Sequence, residues 1–257
     1  MDIKLRKGQV GIWVILGVVI LALVIFLFYF RGEINPEVVP TGESLNEKTF
    51  IERCVEENVN EATEILLPQG GFVNPVNSRK YNRTEVEYLC ENKGNYETCI
   101  NQHPLLIKEI EKEIDNYISP RIENCFEELV SESQKDGVEA VIGSGSNIEV
   151  NLVQDKVIVS VDKKITFIEN GQNRDVRDYK IEVVNSAYNL AVIAMEIAGQ
   201  EAKHCYFEYV GFGAIYPRYK IKPFGISDST TIYEIRDNKS NQIMRIAVRS
   251  CAIPPGI

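Results

Sequence analysis

From Asn46 to Leu67, apolar side chains recur every three or four positions, at Ile51, Val55, Val59, Ala62 and Leu66, with Phe50 and Cys54 beside the stripe. This spacing predicts an amphipathic helix that turns Cys54 toward a core. Pro68, Gly70 and Gly71 stop it, and a polar stretch through Pro75 to Arg83 leads to TEVEYLC, whose alternation predicts a short strand. A longer helical pattern runs from His103 to about Lys135. Leu106, Ile107, Ile110, Ile114, Tyr117, Ile118, Ile122, Cys125, Phe126 and Leu129 lie on one side, and Lys108, Glu109, Glu111, Lys112 and Glu113 are largely on the other. Pro120 interrupts that pattern, so a kink or two abutting helices is expected, with Ser119 as a candidate N-cap.

The period then changes. After the turn-forming GSGSN of Gly143 to Asn147, the segments IEVNLV, KVIVSVDKKITFI and VRDYKIEVV alternate with a period of two and are rich in β-branched residues, which predicts an antiparallel meander. Ser186 to about Ala202 returns to a helical pattern. Its broad apolar face includes Tyr188, Ala191, Val192, Met195 and Ala198 and is expected to pack across the sheet. Two closing strands flank a polar turn at Asp237 to Asn241. The fold class expected is α+β, with helices packed on an antiparallel sheet, over residues 46–257.

Ahead of this domain, Val10 to Phe30 is an unbroken uncharged and mostly apolar run, VGIWVILGVVILALVIFLFYF. At about 1.5 Å per residue, about 20 residues cross the hydrocarbon core of roughly 30 Å, so the run is read as a transmembrane helix. Lys4, Arg6 and Lys7 precede it, which places residues 1–9 in the cytoplasm and the C-terminal domain outside the cell membrane, on a single-pass anchor. A cleaved signal peptide fits less well. The run is too long for one and closes on Phe-Tyr-Phe-Arg instead of a small-residue cleavage site. Residues 31–45, with prolines and glycines and no hydrophobic period, read as a spacer.

The six cysteines, Cys54, Cys90, Cys99, Cys125, Cys205 and Cys251, all follow the anchor. Their even number suits an oxidising compartment, whereas scattered reduced thiols are the blander alternative. No pair has C-x-x-C spacing, and with only His103 and His204 as imidazoles no zinc site is expected. Sequence alone leaves the connectivity open. Position favours Cys90 with Cys99 around a polar loop, Cys54 with Cys125 between two apolar helical stripes, and Cys205 with Cys251.

Composition is that of one folded domain, 44% hydrophobic and 25% charged. The net charge is −9; the first 31 residues carry +3, leaving about −12 on the remainder. Such acidity argues against nucleic acid as a partner and leaves basic partners and divalent cations open. The expected partners are the lipid bilayer and other proteins of the cell envelope or surface. No catalytic, cofactor or metal site is assigned. Gly143-Ser144-Gly145 lacks the flanking glycines of a hydrolase elbow, and the adjacent His204 and Cys205 make a poor thiol–imidazole pair. Asp115, Glu123, Glu127 and Glu128 are ordinary helix-surface carboxylates, so a cell-surface hydrolase is the least favoured reading. Asn82-Arg83-Thr84 and Asn238-Lys239-Ser240 match the glycosylation acceptor pattern. Gln69 to Phe72 and the aromatic segment Tyr206 to Tyr216 are candidate contact regions, through glycine and aromatic surface respectively.

Taken with FIERCVEENVNEATEILLPQGGFV, YLC, QHPLLIKEIEKEIDNYI, IENCFEELV, VIVSVDKKITF and IMRIAVRSC, the basic-GQV-apolar N-terminus resembles uncharacterised single-pass surface proteins of small-genomed archaea. The resemblance implies an outward-facing α+β domain tethered at its N-terminus and supplies no activity. Lys7-Gly8-Gln9 before the apolar run also resembles archaeal type IV prepilins, which are cut after the glycine and polymerise through the helix. Gly8 and Gln9 are thus candidate processing residues, and a filament subunit is the alternative function. Trp13 stands where that pattern usually has a glutamate.

Overall fold

A computed structural model describes residues 17–21, 46–169 and 171–252, the first of these segments being helical. Among the described residues no helix is long and apolar enough to cross a membrane. The expected span at 10–30 lies mostly outside the described residues; the spacer at 31–45 and the Gly8–Gln9 processing site lie wholly outside them. Leu45–Ile257 forms one compact unit.

Helix α1, Glu47–Leu66, starts at Asn46, whose side chain accepts from the Thr49 amide at 3.3 Å. It ends in a tight turn, Leu67–Gln69, closed by Gly70 in the left-handed region at φ +89. Its stripe is buried as expected, with Ile51, Val55, Val59, Ala62 and Leu66 fully inaccessible. Helix α2, Leu106–Lys135, packs against it and buries Leu106, Ile110, Ile114, Ile118, Ile122 and Phe126. The two abutting helices allowed for at Pro120 do not form, since one helix runs through the proline, and Ser119 caps nothing. Pro120 and Asn116 are both exposed, so the carbonyl left without a helical donor faces water. One position on, the Arg121 guanidinium donates to the Tyr117 carbonyl at 2.8 Å, and Ser119 Oγ donates to Asp115 at 2.9 Å.

The remaining chain builds β1 (Ser78–Tyr81), β2 (Thr84–Glu91), β3 (Ile100–Asn101), β4 (Glu139–Ile142), β5 (Asn147–Val153), β6 (Lys156–Asp162), β7 (Ile165–Glu169), β8 (Gln172–Val176) and β9 (Tyr179–Val184). Helix α3, Ala187–His204, and the short α4, Tyr209–Ile215, precede β10 (Tyr219–Gly225), β11 (Thr231–Asp237) and β12 (Ile243–Arg249). The meander forms, but all three of its lines break at one level, at residues 143–146, at Lys163-Lys164 and at Arg177-Asp178. It becomes two three-stranded antiparallel sheets, β4-β7-β8 and β5-β6-β9.

The third sheet has the order β1-β2-β12-β11-β10, with β3 added to β2. It departs from the all-antiparallel expectation, since β12 runs parallel to β2, with a register shift at Ala247/Val248. Helix α3 packs on β2, β11 and β12 and reaches β5 and β6. One hydrophobic core therefore joins the helices to both sheet systems. A small cluster of Val86, Tyr88, Ile232 and Ala247 covers the other face of the mixed sheet. The fold is α+β.

All six cysteines are bridged: Cys54 to Cys125 between α1 and α2, Cys90 to Cys99 from β2 to the turn before β3, and Cys205 to Cys251 from the end of α3 to the end of β12.

Candidate functional site

Helix α3 is apolar over more of its circumference than one packed face requires. Ala187, Leu190, Ala191, Ala194, Ile197 and Ala198 are buried toward the sheets, whereas Val192 is 41% exposed and Tyr188 half-buried on another side. That second strip forms one wall of a groove. Phe212 and Tyr216 of the α4 segment and Tyr219 at the start of β10 form the other, and the β5–β6 turn closes an end with Gln154. The space is about 500 Å³, within the ordinary range for a ligand site. Phe212 packs on Tyr216 with ring centroids 4.8 Å apart and on the buried Phe207 at 5.5 Å, which ties the aromatic wall to the core. Glu196 is the one charged residue of the lining. A second cavity, beside Thr63 and Gln242, is about half that size at 260 Å³.

A partly buried polar cluster sets the wall's position. Arg218 donates through Nε and Nη2 to the two oxygens of Asp237, at 2.9 and 2.6 Å, and through Nη2 and Nη1 to Asp155, at 2.5 and 3.2 Å. Asp237 is fully buried and also accepts from Ser186 Oγ at 2.5 Å and the Lys239 amide at 2.8 Å. Burial opposes its charge, but Arg218, Ser186 and the Lys239 amide outweigh that and hold its carboxyl far below the usual carboxylate range. The Arg218 guanidinium, paired on two sides, is held charged even more firmly than usual. Asn189 links the cluster to the groove, accepting from the Asp155 amide at 2.9 Å and donating to the Tyr219 hydroxyl at 2.9 Å. Arg218 also lies over the Tyr219 ring, 5.2 Å from its centroid.

A second charged constellation sits by the N-terminus of α2. His103 Nδ1 lies 2.5 Å from Glu109, and Nε2 lies 3.5 Å from Glu87, which is almost fully buried. Glu87 also accepts from the Val76 and Asn77 amides, and Phe72 packs on the imidazole at 4.7 Å. Burial opposes the imidazolium, yet the two carboxylates together raise the His103 pKa. This lock ties the 70–77 loop to β2 and α2.

The candidate contact regions separate. Gly70 and Gly71 take φ of +89 and +100, and a Cβ on Gly71 would stand 2.8 Å from Ile110. The close approach they permit is thus to the protein's own chain, Gly70 to Glu87 of β2 and Gly71 to Ile110 of α2, and Phe72 is half-buried against His103. The aromatic segment, by contrast, supplies Phe212 and Tyr216 to the groove. Cys205 is bridged to Cys251, so no free thiol stands beside His204, which is exposed. Ser144 is exposed in the 143–146 loop. Asp115 bonds Ser119, Glu123 pairs with Lys163 and Ser146, and Glu127 and Glu128 are exposed. Asn82 occupies an exposed two-residue hairpin turn between β1 and β2, with φ +46. Asn238 is exposed in the β11–β12 turn, but its amide donates to the Pro217 carbonyl at 3.3 Å and Ser240 Oγ, 2.9 Å from Ser186 Oγ, donates to it, the Ser186 proton being given to Asp237. Among the described residues, no group of three or more His, Cys, Asp and Glu is arranged to hold a metal.

The sequence reading missed Arg218, Asp155, Asp237 and Tyr219 because they meet only when three distant segments converge. The available signal was the surplus apolar circumference of α3. No protein-family model, curated protein or solved structure matches the chain.

Proposed function

We propose that the chain is a membrane-anchored, extracytoplasmic domain that acts at the cell surface by binding and performs no catalysis. Val10–Phe30 is the anchor, residues 1–9 remain inside, and the disulfide-bonded domain faces outward. The observation that carries this reading is the closure of all six cysteines into three bridges within one domain, a state that persists in oxidising compartments. The basic flank before an apolar run of spanning length supports the orientation. The aromatic groove gives such a domain a place to bind.

Protease treatment of intact cells tests the reading. The domain beyond residue 46 should be shaved off while an epitope at the N-terminus survives, and the released domain should migrate faster without reductant than with it. Protection of the domain, or six freely reactive thiols, would overturn the proposal. Mass spectrometry of the mature N-terminus adds a decisive arm, because cleavage between Gly8 and Gln9 would transfer the anchor helix to a filament subunit.

A further inference from the structure

We infer that the groove between α3 and α4 receives a cationic side chain, an arginine carried on an exposed segment of a partner protein. The inference rests on the binding role proposed above and names the chemistry of its ligand.

Four aromatic rings, from Tyr188, Phe212, Tyr216 and Tyr219, line the groove with a single carboxylate and no basic residue. Ring faces are electronegative and attract cations, most effectively the flat, weakly hydrated guanidinium, which also stacks on them. The nearby basic groups do not offset this. Arg218 already lies over the Tyr219 ring, but it and Lys239 pair with Asp155 and Asp237, so that cluster carries no net charge and the Tyr188, Phe212 and Tyr216 rings are left for a ligand. Glu196 has no ion pair among the described residues; it accepts from the Gln200 amide at one oxygen and so keeps the other for a ligand. Asn189 is already committed to Asp155 and Tyr219, which makes it a positioning residue and leaves the Gln154 amide as the neutral polar contact. Beyond residue 31 the chain carries about −12, a field that concentrates cations and repels anions.

The occupant is part of a polypeptide and not a free amino acid because the apolar walls stay open to solvent: Val192 is 41% and Tyr216 51% exposed, surface that a chain on either side of the arginine would cover.

The test uses the full-length protein in detergent micelles and ligand-observed NMR with two probes, the capped tripeptide Gly-Arg-Gly and its citrulline counterpart. These probes differ in charge and hardly in shape. The arginine probe should bind about tenfold tighter, and E196Q should shrink that gap about fivefold. Y216A should weaken the arginine probe about tenfold, while Y216F retains binding because the ring face is kept. Equal binding of the two probes, binding of neither, or tighter binding of a neutral glucan hexamer would overturn the assignment. The comparison of probes on the unaltered protein needs no variant to fold. If the groove fails this test while protease shaving places the domain outside, only the ligand assignment falls; failure of the shaving experiment removes the display reading itself.

Discussion

The mixed sheet and the broken meander are held in opposite ways. Two bridges close the margins of the mixed sheet, Cys90–Cys99 beside β2 and Cys205–Cys251 at the ends of α3 and β12, and the third joins α1 to α2. The meander, β4 through β9, has no cysteine. Its breaks are clamped by charge: Lys163 to Glu123 of α2, Lys164 to Asp175, and Arg177 to Asp162. The turn between β5 and β6 is tied through Asp155 to Arg218. Covalent closure acts mainly on the unfolded chain and is indifferent to salt and pH, whereas ionic closure acts in the folded state and depends on both. The groove lies where the two systems meet, so its walls answer to both.

The largest expected effect comes from removing covalent closure. Replacing Cys54 and Cys125 together by alanine opens a loop with a sequence separation of 71 and should cost about 4 kcal/mol in the chain-entropy model. The same change at Cys90 and Cys99, with a separation of 9, should cost about 3 kcal/mol. Urea unfolding with and without reductant measures both. If the short loop costs more than the long one, native-state geometry and not chain entropy governs the stapled half.

The next effect belongs to the charged side. R218M leaves Asp237 buried without its cation and should destabilise by about 3 kcal/mol. The pH dependence has a definite sign. The Asp237 pKa is depressed in the fold, so its contribution is complete above the unfolded value of about 3.9 and is lost as pH falls through the folded one. R218M should therefore flatten the acid arm of the stability curve as well as lower it. Loss of stability with an unchanged acid arm would place that arm on other carboxylates. K163M should cost less, about 1 kcal/mol: Lys163 is almost buried over the Phe126 ring, but its partner Glu123 is 37% exposed and can be hydrated. The exposed Lys164–Asp175 and Arg177–Asp162 pairs should contribute still less, and added salt should remove what they contribute.

The stripes of α1 and α2 were legible because burial on one side imposes a period that local composition cannot hide, and Cys54 and Cys125 stood on facing stripes. The continuity of α2 through Pro120 was not, because it depends on the proline facing water and on Arg121 reaching a carbonyl. Strand β10 escaped because Pro223 interrupts its pattern; pairing only with β11, it lies at a sheet edge, where a missing donor is tolerated. The parallel contact of β2 with β12 joins segments too far apart in sequence for any local signal. In the groove, the aromatic segment announced itself by composition, but Tyr219 did so only through its contact with Asn189, and Asp237 read as an ordinary turn residue.

The smallest effect tests whether the contrast holds inside the stapled half, where His103 forms its own ionic lock between Glu87 and Glu109. The imidazole pKa is raised in the fold, so its contribution is complete below the unfolded value of about 6.5 and disappears as pH rises through the folded value. H103Q should then be less stable than the parent by about 1 kcal/mol at pH 5.5 and nearly equal to it at pH 9. The effect stays small because Glu87 keeps its bonds from the Val76 and Asn77 amides when the imidazole goes neutral. A difference that instead widens with pH would mean that the folded imidazole is neutral and stabilises the loop in that form. His103 would then drop out of the ionic closures of the stapled half, which would keep the Arg245–Glu234 pair between β12 and β11.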